Sequence, residues 1–446
     1  MGTLKTGYAK VCITPPLGID ITGYFQKRYA DKVLDDLYAV ALALELDGKR
    51  VVFVNIDLLT IRANGADIIR EYVSEKTGLP TEAIYLGCTH THTGPLADPT
   101  AEGKLEVHYF EELKLKICDA IVSAFSELKA SDVSFGVSTA PRISFGRRFR
   151  MKDESVRTNP GVNNPDILEP IGEIDERVSV VRFDRENADN IVLVNFGTHP
   201  DTIGGTSISA DWPGFVRTTL EAAIGDAKAV FFNGAQGDVN HVNVFPRPGD
   251  SNGMFHDFDD VDRGYLHAKH MGNVVAGAVL QVYEKLAPAN VDSIRFVEKK
   301  IKIPANVPTP EELPIAIKYN DLHKAGRDDE IPFEGMALTT VLADAARKVR
   351  LKDGPEFFEL SLTAIAIGNI AFIGIPGEPF SKIGIELKKN PKFDLVIPTA
   401  LTNGSKGYFP SKDAYDEGGY ETATSSFKVG VAEIIIEEGN KLLNSL

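Results

Sequence analysis

Cysteine is scarce in this sequence: Cys12, Cys88 and Cys118 are the only three in 446 residues. An odd and sparse set excludes the disulfide framework that staples small secreted domains, and reads instead as reduced thiols in a cytosolic protein. Long apolar runs are missing too. The longest, near residues 364–375, is interrupted by Gly368 and Asn369 and is too short to cross a bilayer. The start, Met1-Gly2-Thr3-Leu4-Lys5-Thr6-Gly7, carries no apolar core of a secretory signal, so the expectation is a cytoplasmic location. Positive charge is in deficit, with Lys+Arg 48 against Asp+Glu 63 and a net charge of −15. That balance argues against nucleic acid or an anionic membrane surface as a partner. No internal repeat or low-complexity tract is visible, which excludes a repeat array.

What is present is the composition of a globular protein, 43% hydrophobic and 25% charged. The length suffices for one large domain or two to three ordinary ones. Short apolar runs alternate with helical patterns. Val51-Val52-Phe53-Val54-Asn55-Ile56 reads as a buried strand and residues 64–78 as a helix. Ala83-Ile84-Tyr85-Leu86 is a second strand, and helical periodicity returns over 110–128. Ile191-Val192-Leu193-Val194-Asn195-Phe196 and Ala229-Val230-Phe231-Phe232 are further strands, with a helix starting near Pro213 between them. Helices are expected over 261–286 and 429–443. The alternation predicts a mixed α/β fold, a large twisted sheet flanked by helices. Two stretches break the rhythm: 142–170, read as a long ordered loop, and 303–357, read as a lid or insertion within a single catalytic domain spanning 1–446.

Chemistry concentrates in three strings that each stand where an apolar run breaks into a Gly/Pro turn. They are Thr89-His90-Thr91-His92-Thr93-Gly94-Pro95, Gly197-Thr198-His199-Pro200 and Pro376-Gly377-Glu378. Imidazole and carboxylate are the usual ligands of catalytic zinc, and turns at strand ends present such groups to a cleft. In an extended segment His90 and His92 point the same way, so one can bind a metal while the other works on water. Ser209 or Asp211 is expected to cap the helix that Pro213 begins, and Trp212 to pack. Asn233, Gln236 and Asp238 lie in a glycine-rich turn without the lysine of a phosphate loop, and are expected to support the histidines. Tyr408, Tyr415 and Tyr420 read by composition as packing residues.

These strings, in this order and together with Ala9-Lys10-Val11-Cys12-Ile13-Thr14-Pro15-Pro16, Ile208-Ser209-Ala210-Asp211-Trp212-Pro213-Gly214 and Tyr420-Glu421, resemble the neutral (non-lysosomal) ceramidase family of zinc amidases. The resemblance runs over nearly the whole chain. It implies a zinc ion held by His90, His199, Glu378 and Tyr408, with His92 as general base or acid. It further implies an oxyanion stabilised by Arg147, with Arg148 as its competitor, and by Tyr420. The loop Gly237-Asp238-Val239-Asn240 departs from the family's pattern by lacking a serine after Val239, which excludes a serine nucleophile there and fits a metal-water mechanism. Against the family's pattern, the expectation is a chain without a secretion signal or C-terminal immunoglobulin-like domain. The expected activity is hydrolysis of an amide (N-acyl) bond, on ceramide or on another substrate, with a small molecule or N-acyl lipid as partner and the choice between monomer and homo-oligomer left open.

Two other readings stand beside it. A two-metal phosphoesterase can draw ligands from Asp57, His90, His92, Asn233 and His199. A non-catalytic binding protein on the same scaffold is expected to have lost one of the matched residues, and none is lost.

Overall fold

A computed structural model of the chain describes residues 2–24, 26–248, 250 and 264–446. Its frame is a nine-stranded mixed sheet. From one edge to the other run Ala227–Asn233, Asn190–Phe196, Arg177–Arg185, Lys129–Thr139, Lys5–Cys12, Tyr38–Leu46, Lys49–Ile56 and Ile84–Cys88, with Ala287–Pro288 paired beside Lys129–Thr139. The outermost pair at each edge is parallel and the strands between are antiparallel.

Alternation of side chains across each strand builds two cores on this one sheet. On one face Ala39, Ala41, Ala43, Val52, Val54 and Ile56 meet helices Ala63–Thr77 and Lys104–Ser126. Farther along the same face, Val180, Val192, Val194 and Phe231 meet helices Asp211–Ile224 and Tyr265–Val282. The intervening positions, including Leu42, Phe53, Val181, Leu193 and Phe232, pack on a second sheet made of Ile294–Pro304, Phe357–Ile367, Ile370–Gly374 and Leu395–Thr399. Phe53 and Phe372 join the two sheets with ring centroids 4.6 Å apart, each such side chain contributing about 1.5–3 kcal/mol by leaving water. Helices Ser381–Leu387 and Val431–Ser445 cover the far side of the second sheet.

The mixed α/β expectation therefore holds, and the second sheet adds a layer to it. Three local expectations change. Residues 142–170 are not one loop: Arg148–Met151 pairs with Val156–Thr158 and Ile167–Ile171 in a small sheet, and Phe145–Gly146 pairs with Val239–Asn240. Residues 303–357 include a hairpin of helices, Leu313–Lys324 and Gly335–Leu351, inserted between two paired strands of the second sheet. The helix expected over 261–286 runs Tyr265–Val282, and its expected start at 261–263 lies outside the described residues.

The large sheet curls until its two edges approach. Gly87 on one edge faces the Phe232 ring of the other so closely that a Cβ there would stand 2.7 Å from it. Asn233 closes the gap, its amide donating to Thr89 O (3.1 Å) and Thr198 O (3.3 Å). The carboxyl ends of two parallel pairs thus converge, which is where open α/β sheets bind ligands.

Candidate functional site

His90 and His199 each follow one of these strand ends, Glu378 follows Ile370–Gly374 of the second sheet, and the three meet. His90 sits just past Ile84–Cys88 with φ 77°, in the left-handed region. A non-glycine residue held there stores strain that the surrounding bonds must sustain. His90 Nδ1 lies 2.9 Å from Leu59 O, and His199 Nδ1 lies 2.7 Å from Gln236 O. A carbonyl only accepts, so each Nδ1 carries the hydrogen and each Nε2 is left with a lone pair. Those two Nε2 atoms face each other at 3.3 Å, and Glu378 Oε2 lies 3.3 Å from both. Three electron-pair donors with no proton between them are held best by a cation. Zinc bonds of about 2.0–2.1 Å in a tetrahedron separate the donors by roughly 3.3 Å. The donor set therefore fits a metal.

His92 joins the same group: one nitrogen from each of His90, His92 and His199 lies within 4.8 Å of the others, and all three side chains are buried. Burial holds the His92 imidazole well below its usual range, with Asp201 opposing and the other two histidines reinforcing the shift. His199 is lowered by burial and by the charge of Arg147. For Glu378, burial favours the neutral acid; protonated imidazoles at His90 and His199 outweigh it and hold the carboxyl well below the usual carboxylate range, and in their lone-pair forms a bound cation would take over that role.

Tyr408 is placed by main-chain pairing. Glu378 and Tyr408 are partners in a two-residue parallel ladder, and Glu378 N donates to Gly407 O at 2.9 Å. The Tyr408 ring stacks on His199 with centroids 6.3 Å apart. Burial and the Glu378 carboxylate push its hydroxyl well above the usual range, with Arg147 pulling the other way. Arg147 is buried, donates to Glu421 Oε1 at 2.7 Å and to Gly237 O at 2.8 Å, and hydrogen-bonds Tyr408. Tyr420 packs edge-on against Tyr408 at 5.9 Å. Arg148, by contrast, points its guanidinium at Gly418 O and Glu417, and only Arg147 of the two lines the cleft.

The cleft has a volume of about 540 Å³. All seven site residues expected from the sequence, His90, His92, Arg147, His199, Glu378, Tyr408 and Tyr420, line it. Its opposite wall comes from the helical hairpin, chiefly Met336, Leu338 and Leu342. The supporting residues act less directly than expected. Gln236 serves His199 through its carbonyl, not its amide. Asp238 receives hydrogen bonds from Ser381 N and Oγ, and Gly237 packs on the Glu378 main chain, where a Cβ would stand 2.5 Å from the carbonyl oxygen.

Asp211 does more than stand at a helix start. Its Oδ2 accepts from Thr202 N (2.9 Å) and Ile203 N (3.0 Å), tying down the loop that carries His199, while Ser209 Oγ accepts from Asp211 N. Trp212 packs edge-on against Phe196 and Phe231, as expected. Tyr415 bonds Phe427 O away from the cleft. Asp57 accepts from both terminal nitrogens of Arg217, at 2.8 and 2.5 Å, inside the core. That engagement removes it from the ligand list of a two-metal site.

Two buried or half-buried residues of the site, Asp201 and Tyr24, carried no signal in the sequence, and Glu421, quoted there beside Tyr420, turns out to be the partner of Arg147. Asp201 Oδ1 lies 3.7 Å from His92 Nδ1 and accepts from the Tyr24 hydroxyl.

Comparison with known proteins bears on the fold. No protein-family model matches the chain, and no curated protein matches it by sequence. Among solved structures, the neutral ceramidase from Pseudomonas aeruginosa superposes with a TM-score of 0.74 at 17% identity, over 99% of this chain and 74% of the other. The chain has a neutral ceramidase-like fold. A second structure, a ceramidase complexed with C2, superposes with the same TM-score at 16% identity, over 100% of this chain and 76% of the other. Identity this low carries the ceramidase-like architecture and leaves the chemistry to be argued from the site. Among the described residues, no helix is long and apolar enough to cross a membrane.

Proposed function

We propose that this protein is a zinc-dependent hydrolase that cleaves an N-acyl amide. The observation that carries the reading is the triangle of His90 Nε2, His199 Nε2 and Glu378 Oε2 with sides of 3.3 Å and no hydrogen available between its nitrogens. His90, His199, Glu378 and Tyr408 would hold the metal. A bound zinc ion supplies a Lewis acid that polarises a carbonyl and brings the pKa of water down to about 7.

The chain's own residues supply the rest. His92 accepts a proton from the attacking water as the new C–O bond forms, then delivers it to the departing nitrogen as the C–N bond breaks. The products are the amine and a carboxylic acid, which gives up water's second proton to solvent or the amine, and His92 ends as it began. Arg147 and Tyr420 donate to the oxygen that gains charge, each such donor contributing about 3–4 kcal/mol in comparable sites. Glu421 holds the guanidinium of Arg147 in place from behind. The apolar side of the cleft, Leu59, Met336, Leu338 and Leu342, suits the acyl group. The chain acts as a single catalytic domain, with the helical hairpin as the cover of its cleft. The names of the solved ceramidases make an N-acyl lipid the first substrate class to try.

The deciding experiment is metal analysis of the purified protein paired with amine release from N-acyl amides before and after chelation. One zinc per chain and turnover that is lost on chelation and restored by zinc are expected. Turnover indifferent to the chelator, or no metal retained after dialysis against zinc, overturns the reading. The buried His90, His92 and His199 group favours one variation, with His92 as a ligand; loss of zinc on replacing His92 would establish it.

A further inference from the structure

Three imidazoles share the centre, but they are not held alike. His90 and His199 rest their Nδ1 atoms on main-chain carbonyls. His92 faces a carboxylate instead, and from this difference we infer that Asp201, fixed by Tyr24, is the positioning residue that aims His92 at the reacting nitrogen. The inference rests on His92 as the proton carrier, and it goes further by naming what orients it.

The surroundings form a clamp. Asp201 is buried, and its Oδ1 stands 3.7 Å from His92 Nδ1 while accepting the hydroxyl hydrogen of Tyr24. The Tyr24 ring lies 5.6 Å from the His92 ring at an interplanar angle of 48°. Arg28 closes the clamp from outside: its guanidinium sits 4.0 Å over the Tyr24 ring and donates at 2.7 Å both to His92 O and to Gly205 O. On the main-chain side, His92 N donates to Pro200 O, the residue before Asp201.

Gly23 explains how the segment comes so close. It has φ 117°, and a Cβ there would stand 2.8 Å from His92 Nδ1. Only glycine leaves room for the imidazole beside the Tyr24 turn. With Nδ1 turned toward Asp201, that nitrogen carries the hydrogen and Nε2 is the one that can accept a proton. At 3.7 Å the contact is longer than a hydrogen bond. Catalytic contacts of this kind are often long without substrate and shorten when it binds.

The test uses the full-length, zinc-loaded protein with Asp201→Asn and Tyr24→Phe, and two substrates of one acid: an N-alkyl amide and a p-nitrophenyl ester. An amine must be protonated to leave, whereas nitrophenolate leaves without a proton. Asp201→Asn should lower kcat on the amide by about 10- to 100-fold, the usual effect of removing such an orienting partner, with KM and zinc content unchanged. The loss on the ester should be clearly smaller. Tyr24→Phe, which keeps the ring, should give the same pattern with a smaller loss. In ¹⁵N-histidine spectra, the Nδ1–H form of His92 should dominate in the wild type and lose that dominance in Asp201→Asn, a readout that needs no substrate. Full amide turnover in Asp201→Asn or an unchanged His92 signal overturns the inference. A wild-type protein that holds zinc and cleaves neither substrate instead overturns the hydrolase reading beneath it.

Discussion

The two walls of the cleft are built by different rules. The wall at the sheet ends is buried at His90, His92, Arg147, His199 and Glu378, with Tyr408 and Tyr420 half-buried beside them. Its polar groups are assigned partners through the main chain, as at Leu59 O, Gln236 O and Gly407 O. The hairpin wall is half-exposed and mostly apolar, with Met336 and Leu338 partly open and Leu342 buried beneath them, beside the paired His323 and Asp328. It is tied to the body by side chains, with Arg347 donating to Ala423 O and Asn306 O at 2.8 Å and Arg350 to Ser426 Oγ at 2.9 Å. On the proposed function, chemistry falls to the sheet-end wall and substrate choice to the hairpin wall.

That contrast can be broken at four levels, beginning with the largest effect. Glu378→Ala removes the only carboxylate of the donor triangle. Zinc content should fall below one per chain and turnover to near background, a loss on the order of 10⁶-fold at the low end of enzymatic accelerations; metal analysis beside an activity assay checks both. His92→Ala should keep its zinc and lose about 10²–10⁴-fold in kcat, so the two variants separate holding the metal from moving the proton. On the other wall, Leu342→Ala should leave zinc and kcat in place and raise KM by about ten-fold, the discrimination carried by a modest loss of apolar contact. Steady-state kinetics over a series of acyl lengths shows whether that loss grows with chain length.

The smallest effect concerns the loop behind His199. Burial raises the Asp211 carboxyl to about 6, against the lowering effect of its hydrogen bonds from Ile203, Trp212 and Thr202. Its folded-state pKa thus lies above its unfolded value of about 3.9. The contribution is fully present below the unfolded pKa and is lost as pH rises through about 6. Lowered pKa values at His92 and His199 act in the opposite sense over an overlapping range. The comparison is therefore with Asp211→Asn: the wild type's stability relative to that variant should shrink as pH goes from 4 to 7, read by denaturant unfolding. A constant difference would remove burial of Asp211 as the cause.

How much of this was legible in the sequence follows from how each element is buried. The parallel edge strands Lys49–Ile56, Asn190–Phe196 and Ala227–Asn233 are closed on both faces, so they appear as continuous apolar runs. Ile294–Pro304 did not stand out, because its sequence IRFVEKKIKIP puts three lysines and a glutamate on a strand of only partial burial. The turns of residues 142–170 hid four short strands for a similar reason, since Arg148–Met151 is recognisable only by the partners that come later in the chain. His90, His199 and Glu378 were legible because each ends an apolar run. Tyr408 was reached through resemblance alone, and its place depends on a two-residue ladder with Glu378 that no local pattern announces. Asp201 and Tyr24 are 177 residues apart and meet only once the sheet has curled.

The junction of the sheet's two edges sets an order of events. His90 and His199 are separated by 109 residues, and Glu378 lies beyond the second sheet's Ile370–Gly374. No early fragment of the chain holds two of these donors at bonding distance, so a nascent chain offers a metal only single, weak contacts. A metal bound by these donors would in effect be a keystone, inserted after the arch has closed. Its binding energy then adds to the stability of the finished fold without helping to search for it. Folding should proceed at nearly the same rate with or without zinc, while unfolding slows once zinc is bound.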